Sequence, residues 1–474
     1  MANWYSSTCQ ECPSACGLLV KTREGRPIKL EGNPEHPVNE GGLCARGQAS
    51  ILNLYDPERL KKPLRGQEEM EWDSFDAAVV SLMKQREIRT VRFLTKGGEG
   101  PATLSLMNSF LGQFRDGRQV VYEAVDYTAV ARAQKSCYGS EKIPHLRIDR
   151  ADLLISLGAD FLGTWISPVE FTRQFSKKRK VSDKETPLRF VAFESEVTLT
   201  GTNADHRVPV EPGQELLVAL SLAHEIVVAR GLSSWTYDSS IQKFLRPYSV
   251  ERVGDLTGID PSLLKELAGS LWKAQGRSLI LAGNDESTQI AANFLNTLLK
   301  NDGLTLNAHL PTLQATATQA DVQKLVEEMH AGKVDLLFVS TDPLKTLPQT
   351  LRFKEGLQKV GTVVVLTQRK NLVSQEADYV GPLSHPMESW GDAKPREGLY
   401  SLVQPTIEPL YGTRSLAEYF LAWTARREGV APKSWHETLK SFWKKEVYSR
   451  YSPAGSFESF WETTLQKGFF DRFA

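Results

Sequence analysis

Short apolar runs alternate with longer stretches of helical period over most of the chain. Thr90–Thr95 reads as a buried strand that runs into Lys96-Gly97-Gly98-Glu99-Gly100, and Pro101 opens a helix expected to reach about Phe114. Residues 119–122, Leu153–Leu157 and 190–193 read as further strands, with helices near 127–136, 168–178 and 213–230. A second set follows: strand 278–282, helices 287–300 and 319–331, and strands 334–339 and 362–366. Alternation of this kind predicts α/β architecture with mainly parallel sheets and helices on both faces. The N-terminal region differs. Residues 18–30 read as two short strands around Glu24-Gly25-Arg26, a small antiparallel hairpin. At the other end, Trp435, Phe442, Trp443, Phe457, Phe460 and Trp461 recur at helical spacing, either to pack on the body or to dock a partner. The expected division is an N-terminal domain over 1–65, α/β domains over 66–250 (open to completion by C-terminal segments) and 251–425, and a helical, aromatic tail over 426–474.

Composition narrows the function classes. The chain has 474 residues, 41% of them apolar, and equal numbers of basic and acidic side chains, 57 of each. That is an ordinary globular balance without the basic footprint of a nucleic-acid or anionic-membrane binder. No apolar stretch approaches the length of about 20 residues that a spanning helix needs. The first residues, Met1-Ala2-Asn3-Trp4-Tyr5, show neither a basic region nor an apolar core, so no signal peptide is expected. Cytoplasmic residence, a leader removed earlier, or export alongside a partner all fit that start.

Four of the five cysteines fall in the first 44 residues, as Cys9-Gln-Glu-Cys12-Pro-Ser-Ala-Cys16-Gly17 and then Cys44-Ala-Arg46-Gly47. Three closely spaced thiolates can wrap three corners of an iron–sulfur cube, and a distant loop supplies the fourth, the usual ligand set of a [4Fe–4S] cluster. Zinc is the main competitor, but four-cysteine zinc sites show two C-x2-C knuckles. Here one knuckle continues as x3-Cys, and Cys44 has no partner at that spacing. Two disulfides are also conceivable, though a chain of this size does not need them. Pro13 stiffens the loop, and Gly32-Asn33-Pro34 and Glu40-Gly41-Gly42 are turn signals that return the chain to Cys44.

The block from Cys9 to Leu64, ending Leu54-Tyr55-Asp56-Pro57-Glu58-Arg59-Leu60, resembles the N-terminal domain of the molybdopterin oxidoreductases, and Trp72-Asp73-Ser74-Phe75-Asp76-Ala77-Ala78 matches the start of their next domain. Ala151–Leu162, Ser167-Pro168-Val169-Glu170-Phe171, Thr198–Asp205 and Met387-Glu388-Ser389-Trp390-Gly391-Asp392 are similar to a narrower branch, the molybdopterin-like subunit of alternative complex III and related membrane quinone reductase complexes. That resemblance implies an electron-transfer or scaffold subunit carrying a [4Fe–4S] cluster and no molybdopterin, without the family's C-terminal pterin-binding domain. It also implies partners: an iron–sulfur protein, a quinone-reactive integral membrane subunit and a possible cytochrome c. Membrane association would then run through partners, on the periplasmic face, with a cytoplasmic location as the alternative. Arg46 resembles the basic residue that family enzymes place between cluster and pterin, and a surface salt bridge is its plainer role. The competing expectation is a catalytic molybdenum or tungsten bis-pterin subunit. Cys137, in Lys135-Ser136-Cys137-Tyr138-Gly139, falls near the family's metal-ligand position; the plainer reading is a buried cysteine near a helix end.

Other candidates are weaker. The loops expected beyond the strand C-termini hold Lys96-Gly97-Gly98, Gly158-Ala159-Asp160, Glu194-Ser195 and Ser340-Thr341-Asp342, where a ligand of a parallel sheet would sit. Asp160, Glu194 and Asp342 read as caps or turn residues, and the Gly-rich loop after residue 95 as a structural turn. Glu388 and Asp392 could pair as carboxylates, but read as loop anchors. The eight histidines are scattered, and no zinc-protease, nucleophile-elbow or Walker motif occurs.

Overall fold

The computed structural model describes residues 2–85, 88–181, 186–314 and 317–473. Strands β1 (Ala2–Thr8), β2 (Gly17–Arg23) and β3 (Arg26–Gly32) form an antiparallel sheet in that order. The expected hairpin is β2–β3. β1 was not legible, because its first four residues are exposed and carry no apolar alternation. Helix α1 (Ala45–Leu54) packs on β3. After it come β4 (Leu64–Arg65), β5 (Glu68–Glu69), helix α2 (Trp72–Lys84), β6 (Thr90–Thr95), helix α3 (Pro101–Leu111) and β7 (Asp116–Val121).

The chain then enters a second compact unit, Tyr127–Leu313. It holds helix α4 (Thr128–Tyr138), β8 (His145–Leu146), β9 (Leu153–Leu157), helix α5 (Pro168–Lys178), β10 (Arg189–Glu194), β11 (His206–Pro209), β12 (Ser278–Ala282) and β13 (Leu306–Asn307). Its main sheet is wholly parallel, in the order β11-β10-β9-β12. The helix expected over 213–230 spans Glu215–His224 and continues as a π-helical segment, Glu225–Ala229.

Returning to the first unit, the chain adds β14 (Leu336–Val339), β15 (Thr362–Thr367), β16 (Tyr379–Pro382), β17 (Gly391–Arg396), β18 (Leu399–Val403) and β19 (Phe469–Asp471). A seven-stranded sheet runs β5-β4-β16-β15-β14-β6-β7. The five strands from β16 to β7 are parallel, and the short β4–β5 hairpin closes one edge antiparallel. Side chains alternate across this sheet as the pleat requires. Phe93 and Phe338 face an aromatic layer with Phe75, Phe110, Phe420 and Trp423, while Leu94 and Val339 face an aliphatic layer with Val326 and Met329.

The units do not follow the expected 66–250 and 251–425 boundaries. Met1–Asp126 and Gln314–Ala474 form one unit, because β6 pairs in parallel with β14, Val91 opposite Leu336, across the intervening segment. Parallel pairing does not require neighbours in sequence, so the order of strands along the chain hides it. The aromatic tail is core: Trp435, Trp443, Phe457, Phe460 and Trp461 are buried together with Tyr400 and Leu402 of β18. Among the described residues no helix is long and apolar enough to cross a membrane.

Candidate functional site

The cysteine loop joins β1 to β2. The Cys9 amide donates to the Cys16 carbonyl at 2.8 Å and Ala15 to that of Cys12 at 3.3 Å, closing a tight loop in which Ala15 takes a positive φ of 47°. At the base of β2, Gly17 lies against the His36 ring; a methyl group there would stand 2.5 Å from it. The His36 ring shares a 2.9 Å hydrogen bond with Ser401 of β18. Asn39 clamps the return of the chain, accepting from the Gly17 amide and donating to the Gly17 and Gly42 carbonyls. Cys44 is then set as the N-cap of α1, where its Sγ accepts from the Gly47 amide at 3.4 Å.

These elements place Cys9 near Cys12 and Cys44. A methyl group at Gly47 would lie 3.7 Å from the Cys9 Sγ. Burial pushes the Cys9 thiol up to about 12, the Glu11 amide opposes the shift, and negative charge at Cys12 and Cys44 adds to it. Burial and its neighbours thus disfavour the Cys9 thiolate, and a positively charged metal group held there would offset that. Cys9 and Cys16 are buried, Cys12 is half-buried and Cys44 exposed. Among the described residues no three His, Cys, Asp or Glu side chains are grouped to hold a single metal ion. A cubane asks for something else, one thiolate at each corner of a wider frame.

Beside this loop lies a cavity of about 760 Å³, wholly within the first unit. Gln10 and Glu11 of the cysteine loop form part of its wall, with the segments that follow β6, β14 and β15. It therefore sits beyond the C-terminal ends of parallel strands, next to the reversal of strand order between β6 and β14. Lys96 Nζ donates to the Gln10 carbonyl and also lines the cavity. Gly97 and Gly98 lie against Pro13; a methyl at Gly98, whose φ is +82°, would come 2.7 Å from the Pro13 Cα. The glycines of this loop thus permit close approach to the cysteine loop.

The remaining candidates sort out locally. Arg46 is exposed on the first turn of α1, its Nη1 3.4 Å from the Glu11 carbonyl. The cavity wall instead carries Lys96, delivered by the end of β6, together with Lys345, Arg369 and Lys370. Cys137 belongs to the second unit. It is exposed near the end of α4 rather than buried, and partial burial raises its thiol while a hydrogen bond to Asn293 opposes the shift. Asp160 accepts from Thr200 Oγ1 and Glu194 from Thr198 Oγ1 and Arg207, so both anchor loops. Asp342 lines the cavity, near Lys345 at 3.6 Å, with one carboxylate oxygen buried and without a hydrogen bond. Glu388 and Asp392 do not pair. Glu388 makes a fully buried ion pair with Arg59, and Asp392 caps α3 through the Ala102 amide and accepts from Trp443 Nε1 at 3.1 Å. Lys96 and Trp390 line the cavity; in the sequence they stand only as members of Lys96-Gly97-Gly98 and Met387–Asp392, with no site role of their own.

Residues 2–56 match the model of the molybdopterin oxidoreductase Fe4S4 domain. The chain is 26% identical to the menaquinone reductase, molybdopterin-binding-like subunit of Nitratidesulfovibrio vulgaris, over 89% of this chain and 65% of that protein. It is 21% identical to the arsenate respiratory reductase molybdopterin-containing subunit of a Shewanella species, over 87% of this chain and 59% of that one. The chain thus spans about two thirds or less of the length of these relatives. Its fold is similar to that of acetylene hydratase from Pelobacter acetylenicus, with a TM-score of 0.75 over 98% of this chain and 74% of that one at 13% identity. Residues 2–56 are thus an Fe4S4 domain of the molybdopterin oxidoreductase kind, and most of the chain is similar to proteins named for molybdopterin.

Proposed function

We propose that Cys9, Cys12, Cys16 and Cys44 hold a [4Fe–4S] cluster and that the chain is an electron-transfer and scaffold subunit of a membrane-associated quinone oxidoreductase complex. The observation that carries this reading is the joining of the C-x2-C-x3-C loop to Cys44 at the N-cap of α1, in a domain matching the Fe4S4 model. The cluster supplies one-electron chemistry. The protein's part is to fix its surroundings: Cys9 and Cys16 are buried, and the first turn of α1 favours the negative charge of a ligand there. Arg46 and Lys96 both bond carbonyls of the cysteine loop, and cations so placed favour the reduced, more negative cluster. The quinone assignment is supported by the menaquinone reductase relative. A second iron–sulfur protein, a quinone-reactive membrane subunit, a possible cytochrome c and a periplasmic setting belong to the same proposal.

A second reading has its own support, the 760 Å³ cavity beside the cysteine loop, which is roomy enough for a cofactor. In that reading the chain is part of a molybdenum or tungsten pterin enzyme; Cys137, the ligand the sequence offers for it, is not among the residues that line this cavity. Metal analysis of protein purified without oxygen separates the two. Iron and sulfide with neither heavy metal supports the electron-transfer subunit. Molybdenum or tungsten near one per chain, lost in Cys137→Ser, replaces it with the enzyme.

A further inference from the structure

One carboxylate on the cavity wall has no assigned role. Glu99 lies in the loop between β6 and α3, lines the cavity, and makes no hydrogen bond among the described residues. The charge beside it is Lys96, whose Nζ is bonded to the Gln10 carbonyl inside the cysteine loop. One basic side chain thus touches both the cysteine loop and the field of a free carboxyl group. We propose that Glu99 takes up a proton when the cluster is reduced and releases it on oxidation, so that electron transfer through this chain is coupled to a proton on the cavity wall. This rests on the reading of the four cysteines as cluster ligands.

Three of the surrounding carboxylates are held by donors of their own. Glu123, after β7, accepts from the Gly97 amide at 2.6 Å and also feels Lys96 and Arg46. Asp392 of β17 receives the Ala102 amide and the Trp443 indole. Asp342, beyond β14, stands near Lys345 and accepts from the Leu372 amide. Glu11 lies between two of the cysteines in the loop itself. Glu99 faces the cavity, half-buried, without a donor among the described residues to hold its anionic form. Burial raises its proton affinity and Lys96 opposes that. An electron on a cluster held by the cysteine loop would add negative charge near the loop that Lys96 bonds and offset the lysine's effect, so the carboxylate would bind a proton more tightly. The balance is one electron and one proton in, giving a reduced cluster and a neutral Glu99 carboxyl group, and both out again on oxidation. Exposed Glu58, Lys345 and Lys370 also line the cavity, so its mouth reaches solvent and water can deliver the proton.

The test is an anaerobic redox titration of the full chain with dithionite, following the reduced cluster by EPR at several pH values. The potential should fall as pH rises, approaching about 59 mV per pH unit where one proton accompanies one electron. In Glu99→Gln the potential should not vary with pH. A reduced-minus-oxidised infrared spectrum should show a protonated carboxyl band that is missing from Glu99→Gln. A pH-independent potential in the unaltered protein, or a slope and band that persist in Glu99→Gln, overturns the proposal while leaving the cluster in place. Protein without iron or sulfide overturns the cluster reading, and with it this one.

Discussion

The buried ion pair between Arg59 and Glu388 gives a sharp test of how the cysteine domain is held. Both side chains are fully excluded from solvent, and the guanidinium meets the carboxylate through two hydrogen bonds, 3.0 and 2.5 Å long. Arg59 also donates to the Leu54 carbonyl at the end of α1, and Glu388 accepts from the amides of His385 and Leu410. The pair therefore ties the helix that begins at Cys44 to the segment before β17. Arg59→Met fills similar space but strands a buried carboxylate, which costs about 3–5 kcal/mol. Burial alone would raise the Glu388 carboxyl; the hydrogen bonds from Arg59 and from the Leu410 and His385 amides, with the Arg59 charge, together outweigh it and hold the group below the usual carboxylate range. In the native protein the stabilisation from this group is present above the ordinary carboxylate pKa and is lost as pH falls through the depressed value. In Arg59→Met the shift reverses to a raised value, so the variant's deficit should shrink as the solution is acidified. Urea unfolding followed by tryptophan fluorescence measures both effects. Arg59→Met/Glu388→Gln should recover most of the loss, because no charge is left unpaired. A loss below about 1 kcal/mol, or a double variant as unstable as Arg59→Met, would refute the reasoning.

Four further outcomes follow from the geometry. Gly17→Ala places a methyl against the His36 ring and should cost about 1–3 kcal/mol and lower the iron retained after gel filtration, whereas Gly66→Ala, at an open turn, should keep its iron. Asp392 is pushed up to about 7 by burial, against its bonds from Trp443 and Ala102. Its folded value lies above the unfolded 3.8, so stability should fall as pH rises between the two, by up to about 4 kcal/mol, and Asp392→Asn should flatten that slope in urea titrations at several pH values. Lys96→Met removes a cation bonded to the cysteine loop and should lower the cluster's midpoint potential in an EPR titration, with iron content unchanged. Cys137 is exposed and its thiol raised, so it should be alkylated slowly in the native protein, and Cys137→Ser should leave iron and sulfide content intact.

Local elements were legible where one physical signal dominated. Thr90–Thr95, Leu153–Leu157, Ser278–Ala282 and Pro168–Lys178 begin and end where the apolar runs and Pro168 place them. The tail aromatics proved to be core because Trp443 and Phe460 pack on β18, which helical spacing alone could not distinguish from a docking face. The unit boundaries were not legible, because β14 joins β6 through a pairing more than two hundred residues apart in sequence. The four N-terminal cysteines were visible in the sequence, since their spacing is itself the chemistry. The loop's neighbours Lys96 and Glu99 were not visible as neighbours. Their closeness to Gln10 and Pro13 depends on where β6 ends in the folded sheet, and no local pattern encodes it.

The most direct test of the account is the iron, acid-labile sulfide, zinc, molybdenum and tungsten content of anaerobically purified protein, measured alongside Cys9→Ser. The account predicts about four iron and about four sulfide per chain with neither heavy metal, and loss of the intact cluster in Cys9→Ser. Stoichiometric zinc in place of iron, or an unchanged cluster in Cys9→Ser, would contradict it.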